Sequence, residues 1–191
     1  MTRIILLNGP RQVGKDFIAD RYIENALFGI KARKLPVMWP GKLKAMDEYG
    51  VPLTTVEAME YAKDEPHDML RDLFGIKTPR EVYIDYSARV RAEEGEDYFA
   101  ELWAWHAKQL QHYDDIVVPD VRFQPEVDVA SREFGRHNVL LVRVHRQDCD
   151  WQRDIGSYCE HSSAADFYNN IDARVSCPGL HLRDLVQGRM L

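Results

Sequence analysis

Residues 4–16 read IILLNGPRQVGKD, and this stretch decides how the rest of the sequence is interpreted. A short apolar run precedes Gly9, which is followed by four residues and then by Gly14 and Lys15. This is the spacing G-x-x-x-x-G-K of a phosphate-binding loop. We therefore predict a buried strand, then the loop, then a helix. The helix is indicated by apolar residues at helical spacing, namely Ile18, Tyr22, Ile23, Ala26 and Leu27.

The loop predicts contacts to the phosphates of a nucleotide. Glycines let the backbone curl with its N–H groups pointing inward, and the helix N-terminus adds partial positive charge. Lys15 would place its ammonium against the β- and γ-phosphates. Asp16 stands where Ser or Thr normally serves Mg²⁺, and because a carboxylate is also a hard oxygen ligand, we predict that it helps to hold the metal. With ATP and Mg²⁺ as expected cofactors, the predicted nucleotide-binding residues are Gly9, Pro10, Arg11, Gln12, Val13, Gly14, Lys15 and Asp16.

Length, charge and cysteine content restrict the class of protein. At 191 residues, the chain is expected to form a single domain over residues 1–191. Its net charge of -6 argues against a protein built mainly for nonspecific nucleic-acid binding. The sequence has no apolar run long enough to cross a membrane, and the N-terminal strand leaves no room for a signal peptide. The three cysteines, outside any C-x-x-C pair, favour a reducing cytoplasm.

A second informative stretch, DIVVPDVRF, covers residues 115–123. Its apolar run predicts a central parallel strand, with Asp120 and Arg122 emerging at the carboxyl end, where ligands bind in open α/β sheets. Side chains two apart in an extended chain point to the same side, so Asp120 and Arg122 can face one site. The acid would serve Mg²⁺ or the acceptor group, and Arg122 a phosphate. The alternative is an Asp–Arg surface pair.

Cations between these two stretches are candidates for substrate binding. In Gly41-Lys42-Leu43-Lys44, one lysine is expected to face an anionic substrate, and we assign Lys44; the alternative is a solvated basic turn. Thr78, Pro79 and Glu81 predict a capping box that opens a helix. Arg80 lies in its first turn, where the helix dipole disfavours a cation, so we predict a role in substrate binding. The alternative is an arginine paired with a neighbouring acid.

A charged segment with little apolar periodicity begins at His145 and predicts a mobile lid over ATP. Arg146 and Arg153 in this lid would neutralise the charge that develops on the transferred phosphoryl group.

Apolar periodicity and turn residues predict the other elements, and their order indicates an α/β fold with a parallel sheet. The further predicted strands are Lys31–Trp39, Ile116–Val118, Val139–Val144 and Ile171–Val175. The further predicted helices are Leu43–Tyr49, Thr55–Tyr61 with Thr54 or Thr55 as its cap, Pro66–Phe74, Pro79–Glu94, Asp97–Tyr113, Pro125–Phe134 and Leu180–Arg189.

Three stretches resemble bacteriophage deoxynucleoside monophosphate kinases of the P-loop nucleotide kinase superfamily. GPRQVGKD resembles that family's loop, which also has Asp after the lysine. DIVVPDVRFQPEVDVASREFG resembles its strand, Asp-x-Arg and helix, and EHSSAADF its lid segment, although Ala164 stands where the family has a glutamate. The loop is also similar to that of animal-type phosphomevalonate kinases. The resemblance implies a three-layer P-loop NTPase fold with a parallel five-stranded sheet, a helical acceptor region at about 40–95, a mobile lid at about 145–168, and a host-cytoplasmic location if the protein is phage-encoded.

Three functional hypotheses follow from the sequence. The first is transfer of the ATP γ-phosphate to a deoxynucleoside monophosphate. The second is phosphorylation of the hydroxymethyl group of a modified base, such as 5-hydroxymethyluracil, in phage DNA. The third is a noncatalytic nucleotide-binding module, against which the lid arginines argue. The expected partners are small-molecule nucleotides, with DNA as the alternative acceptor and no membrane, and a homodimer is left open. A DNA acceptor needs a wide basic cleft, for which the candidates are Lys31, Arg33, Lys34, Lys42 and Lys44.

Overall fold

Strands and helices alternate along the chain, which is the pattern of an α/β fold. The computed structural model describes residues 2–24, 30–75, 78–147, 149, 168–172 and 178–188. The strands are β1 (Arg3–Asn8), β2 (Ala32–Lys34), β3 (Asp115–Val121), β4 (Val139–His145) and β5 (Tyr168–Asp172). The helices are α1 (Lys15–Glu24), α2 (Met38–Glu48), α3 (Leu53–Tyr61), α4 (Asp68–Phe74), α5 (Pro79–Glu94), α6 (Tyr98–Gln109), α7 (Gln124–Phe134) and α8 (Pro178–Gly188). Within the described part of the chain, every helix is too short or too polar to cross a bilayer.

All strand pairs are parallel, and the sheet has the order β2-β3-β1-β4-β5. The predicted α/β fold with a parallel sheet is therefore confirmed. The strand that carries Asp120 lies directly beside the strand that leads into the phosphate loop, as expected. Because parallel strands present their carboxyl ends at one edge, the loop after β1 and the end of β3 meet there.

Side chains of the central strand β1 alternate between two cores. Ile4 and Leu6 belong to the cluster that includes buried residues of α6 and α7. Ile5 and Leu7 belong to the cluster that includes buried residues of α1 and α8. All four side chains are almost completely removed from solvent. This alternation explains why the strand is a continuous apolar run, since helices cover both of its faces.

A third core forms among the helices between β2 and β3. It joins α2, α3, α4 and α5 to the first turn of α6. Gly41 fits against the Phe99 ring, because a Cβ at this glycine would lie 2.7 Å from two ring carbons. The buried members of this core are Ala45, Met46, Val51, Val56, Met59, Leu70, Val82, Tyr83, Tyr86, Val90 and Phe99. A helical region thus lies where the acceptor region is expected, although its role and the division into acceptor region and lid stay predictions.

A buried carboxylate fastens the first strand to its neighbours. Asp115 is completely buried at the start of β3 and accepts hydrogen bonds from Arg3 Nε at 2.5 Å and Nη2 at 2.9 Å. Tyr22 of α1 donates its hydroxyl to the same carboxylate at 2.6 Å. Burial first, and then this bond, raise the pKa of Tyr22, so its hydroxyl stays a donor. The network satisfies a charge that would otherwise be costly to bury.

The strand predicted for Lys31–Trp39 is wrong beyond Lys34, because α2 already begins at Met38. The cause lies far away in sequence. The Asp120 carboxylate accepts the backbone N–H groups of Val37 at 2.7 Å and Met38 at 3.3 Å, and so caps a helix that has no local cap. Pro40 is tolerated in the first turn, where its missing N–H has no intrahelical partner.

Helix starts with a strong local signal are predicted well. The capping box of α5 is confirmed: Thr78 Oγ1 accepts the Glu81 N–H at 3.2 Å, and the Glu81 carboxylate accepts the Thr78 N–H at 2.7 Å. The predicted cap at Thr54 or Thr55 is wrong, because α3 starts at Leu53 after Pro52. The predicted bounds also shift at α6, which ends at Gln109 rather than Tyr113, and at β5, which covers Tyr168–Asp172 rather than Ile171–Val175.

Candidate active site

The loop between β1 and α1 has the backbone geometry of a tight cradle. Gln12 has a φ of 62° and Gly14 a φ of 106°, a region that side chains with a Cβ rarely adopt. Gly9 lies so close to β4 that a Cβ would stand 2.5 Å from the Val144 carbonyl oxygen. Glycine is therefore required at the first position of the motif by packing, and at Gly14 by conformation.

Lys15 lies inside the cradle and is largely buried, with 8% of its surface exposed. Its Nζ donates to the carbonyl oxygens of Gly9 at 2.5 Å and Pro10 at 2.8 Å. The ammonium is thus held at the loop by oxygens of the backbone. The role of Lys15 as a phosphate ligand stays a prediction.

Asp16 lies in the first turn of α1, where a carboxylate is favoured by the helix dipole. Its side chain is 77% exposed, and Lys34 Nζ lies 3.8 Å from its Oδ1 while bonding to Asp20 Oδ1 at 2.6 Å. The carboxylate is therefore accessible beside the phosphate loop. Its role as a metal ligand stays a prediction.

Asp120 lies at the end of β3, with a half-buried side chain directed at the start of α2. Burial raises the pKa of this carboxyl, while the N–H groups of Val37 and Met38 and the charge of Lys42 oppose that rise. The charge of Asp16 adds to it, which agrees with the position of both residues at the carboxyl edge of the sheet. Asp120 is therefore an anchored acid beside the phosphate loop.

The turn after β3 is fixed by a carboxylate that the sequence reasoning missed. Glu126 is buried in the first turn of α7, and its Oε2 accepts the backbone N–H groups of Arg122 at 2.6 Å and Phe123 at 3.1 Å. Burial above all, together with the charge of Asp120, raises its pKa to about 7. The sequence Gln124-Pro125-Glu126 did carry a signal, because Pro followed by an acid is typical of a helix start.

Arg91 of α5 is a second residue that the sequence reasoning passed over. Its guanidinium carbon lies 5.0 Å from the centre of the Phe123 ring and 5.2 Å from that of Phe99. These cation–π contacts tie the helical region to the turn that carries Arg122. The spacing of residues along α5 could not predict this contact, because Arg91 and Phe123 are distant in sequence and meet only in the tertiary fold.

The two lysines of α2 point in different directions, because residues two apart on a helix differ by about 200°. Lys44 donates to the Tyr98 hydroxyl, a bond that is the main reason why its pKa is raised. It also lines a cleft of about 390 Å³ with Pro40, Leu43, Asp47, Leu102 and His106. Lys42 instead bonds to Glu60 and acts on Asp120. The assignment of Lys44 as a substrate ligand stays a prediction, and the geometry favours Lys42.

Arg80 is paired with an acid, as the alternative interpretation expected. Its guanidinium makes two hydrogen bonds to Asp64, one from Nη2 at 3.0 Å and one from Nε. The pair raises the pKa of Arg80 and lowers that of Asp64. The charge of Arg11, in the loop after β1, also lowers the pKa of Asp64, so the ion pair lies within electrostatic range of that loop. A substrate-binding role for Arg80 stays a prediction.

Arg146 follows β4 and lies beside the phosphate loop. Its Nη2 contacts Cys149 Sγ at 3.0 Å, and that thiol lies 3.7 Å from the Gln12 carbonyl oxygen. The predicted role of Arg146 in catalysis stays a prediction. Arg153 and most of the predicted lid, including Ala164, lie outside the described residues.

Comparison with known proteins adds little to this geometry. No family model matches the chain, and no curated protein matches it either. Among solved structures, the chain is similar to an unliganded sugar kinase from a Janibacter species. The two share 14% identity, the match covers 97% of this chain and 94% of that one, and the TM-score is 0.46. At this distance the similarity carries no argument about function, so the functional conclusion depends on the site itself.

Proposed function

We propose that this protein is an ATP-dependent kinase of the three-layer P-loop NTPase type that transfers the γ-phosphate to a deoxynucleoside monophosphate. The observation that carries the proposal is the loop after β1, in which Lys15 is buried inside a cradle that requires Gly9 and Gly14. The resemblance of three stretches to phage deoxynucleoside monophosphate kinases suggests the acceptor class and a role in phage nucleotide metabolism.

The residues of the loop suit a triphosphate. Gly9 packs so closely against Val144 and Val13 that the loop has no room for a side chain there, and Lys15 can exchange its carbonyl partners for β- and γ-phosphate oxygens. Arg146, beside Gln12, would stabilise negative charge on the transferred group. Phosphoryl transfer needs little covalent chemistry from the protein, so position and charge account for most of the catalysis.

The residues beside the loop also suit Mg²⁺, which would supply positive charge against the negative charge that develops during the transfer. Asp16 offers an accessible carboxylate in the first turn of α1. Asn8 adds an acceptor: its Nδ2 donates to the Val121 carbonyl oxygen at 3.0 Å, and its buried Oδ1 has no hydrogen-bond partner among the described residues. A metal-bound water is a donor that would satisfy this oxygen.

A small acceptor suits the charges better than DNA does. A DNA acceptor needs a continuous basic cleft. Lys34 is paired with Asp20, and Lys44 contacts Tyr98 on a different face of α2 from Lys42, so these lysines point in different directions. In addition, both carboxylate oxygens of Asp120 accept backbone N–H groups at the start of α2, so this acid has a structural role that needs no proton transfer. A phosphate acceptor, already anionic, needs no base.

The test is transfer of radiolabelled γ-phosphate from ATP to a panel of acceptors: the four deoxynucleoside monophosphates, duplex DNA, and duplex DNA that contains 5-hydroxymethyluracil. We expect a labelled deoxynucleoside diphosphate with at least one monophosphate and no labelled DNA. Labelled modified DNA alone would contradict the proposal in favour of the second hypothesis. Tight ATP binding with no transfer to any acceptor would instead support the noncatalytic module.

A further inference from the structure

Lys42, Glu60 and Tyr83 form a charged cluster where α2, α3 and α5 meet. Lys42 Nζ lies 2.6 Å from Glu60 Oε2, and the two side chains are only 20% and 22% exposed. The same Nζ lies 5.2 Å from the centre of the buried Tyr83 ring. Burial, and then the charge of Glu60, raise the pKa of Tyr83, so its hydroxyl stays neutral. One ammonium is thus held from two sides within the helical region.

The cluster lies one helical turn from the end of α2 that Asp120 caps. Asp120 bonds to the N–H of Met38, and Lys42 follows Met38 by four residues, about 6 Å along the helix axis. The charge of Lys42 lowers the pKa of Asp120 against the effect of burial. Lys42 therefore stands beside the acid that ends β3, whereas Lys44 points away to Tyr98.

We infer that Lys42 binds the anionic group of the acceptor and that Glu60 positions its ammonium for this contact. This inference rests on the proposed function and adds a specificity-determining residue to it. An ammonium has three N–H donors, so Lys42 can keep its bond to Glu60 and still donate to phosphate oxygens. Its remaining exposure leaves the charge accessible to a small ligand.

A contribution to the stability of the fold does not by itself explain the ion pair between Lys42 and Glu60. Removing two charges from water costs free energy that their attraction often does not recover, and apolar replacements of such pairs are commonly neutral or stabilising. The pair lies at the rim of a core of Met, Val, Leu and Tyr side chains that could accept an apolar residue. A cation held ready for a ligand accounts for a pair whose energetic benefit to the fold is small.

The experiment compares Lys42→Met with Lys108→Met, a control at a lysine of α6 that also pairs with a glutamate, Glu133. Steady-state kinetics are measured with ATP and thymidine 5′-monophosphate varied separately. We expect Lys42→Met to raise the acceptor KM about 10- to 100-fold, the range for a lost hydrogen bond to a charged group, with the ATP KM within about twofold. Lys108→Met should leave both within about twofold.

Lys42→Met leaves Glu60 without its cation, which can destabilise the fold. The double variant Lys42→Met/Glu60→Gln removes the pair without leaving a buried charge, and it should show the same selective rise in acceptor KM. An acceptor KM within twofold of the wild type in a folded variant would overturn the inference. Equal rises in both KM values would also overturn it, because they would indicate a purely structural role.

Failure of the proposed function can be told apart from failure of this inference. If the wild type transfers no phosphate, the proposed function fails, and calorimetric titration with thymidine 5′-monophosphate then decides the inference. Binding that is weakened at least tenfold by the Lys42 variants and not by Lys108→Met would support the anion site. Equal binding by all variants, or no binding by the wild type, would overturn it.

Discussion

Glu126 offers a quantitative test of the turn that presents Arg122. Its carboxyl is 6% exposed and accepts two backbone N–H groups, and burial raises its pKa from 4.5 to about 7. In the native protein this group binds a proton at pH values where the unfolded chain has released it. Its contribution to stability is therefore fully present below pH 4.5 and is lost as the pH rises through 7.

The magnitude follows from the two pKa values. Each pKa unit corresponds to about 1.4 kcal/mol, so the full loss is about 3 kcal/mol, most of which falls between pH 5 and pH 8. The perturbation is Glu126→Gln, because the amide oxygen can accept the N–H groups of Arg122 and Phe123 but cannot ionise. We expect the variant to gain about 2 to 3 kcal/mol relative to the wild type between these pH values.

The assay is urea unfolding at pH 5, 6, 7 and 8, with the free energy of unfolding extrapolated to zero urea for both proteins. Glu133→Gln is the matched control on the same helix. Lys108 and Arg132 lower the pKa of Glu133, so this variant should not change the pH dependence between pH 5 and pH 8. Parallel pH curves for Glu126→Gln and the wild type would refute the reasoning, since Glu126 would then titrate as it does in the unfolded chain.

Two further predictions concern the packing around the phosphate loop. Gly9→Ala places a Cβ 2.5 Å from the Val144 carbonyl oxygen and should lower the free energy of unfolding, measured in urea, by about 1–3 kcal/mol. Gly188→Ala is the control, because a Cβ there meets no described atom within 4 Å, and it should change this free energy by less than about 0.5 kcal/mol. Equal effects of the two substitutions would contradict the close approach at Gly9. Tyr22→Phe removes a hydrogen-bond donor to the buried Asp115 carboxylate and should lower the free energy of unfolding by about 1.5–3 kcal/mol. Tyr61→Phe, at a site that is 95% exposed, should leave this free energy unchanged. An unchanged free energy in Tyr22→Phe would show that the buried network does not depend on this hydroxyl.

Features with a local signal could be predicted from the sequence. The glycine spacing around Lys15 located the loop, and the capping box at Thr78 located the start of α5. The apolar run before Asp120 predicted a strand covered on both faces, and the structure places that strand beside β1. In each case the deciding pattern lies in consecutive residues, so it could be recognised without knowledge of the tertiary fold.

Features that depend on distant contacts could not be predicted. The start of α2 is set by Asp120, which lies 83 positions from Val37 in sequence. The predicted helix began at Leu43 and therefore left Lys42 outside it. Because the direction of each lysine depends on its place in the helix, the choice between Lys42 and Lys44 could not be made from spacing alone. The sequence allowed the ion pair between Arg80 and Asp64 only as an alternative interpretation. The helix dipole disfavours a cation in the first turn, so either a ligand or a neighbouring acid could account for Arg80.

The most direct test of the central proposal is phosphoryl transfer by Lys15→Ala, with Lys31→Ala, an exposed lysine, as the control. The measurement is the rate of radiolabelled diphosphate formation from ATP and a deoxynucleoside monophosphate, with circular dichroism of each variant. We predict that Lys15→Ala reduces the rate at least a hundredfold while its spectrum matches the wild type, because one preorganised cation commonly contributes this much to transition-state stabilisation. Wild-type turnover by a folded Lys15→Ala variant would contradict the assignment of the loop as the ATP site.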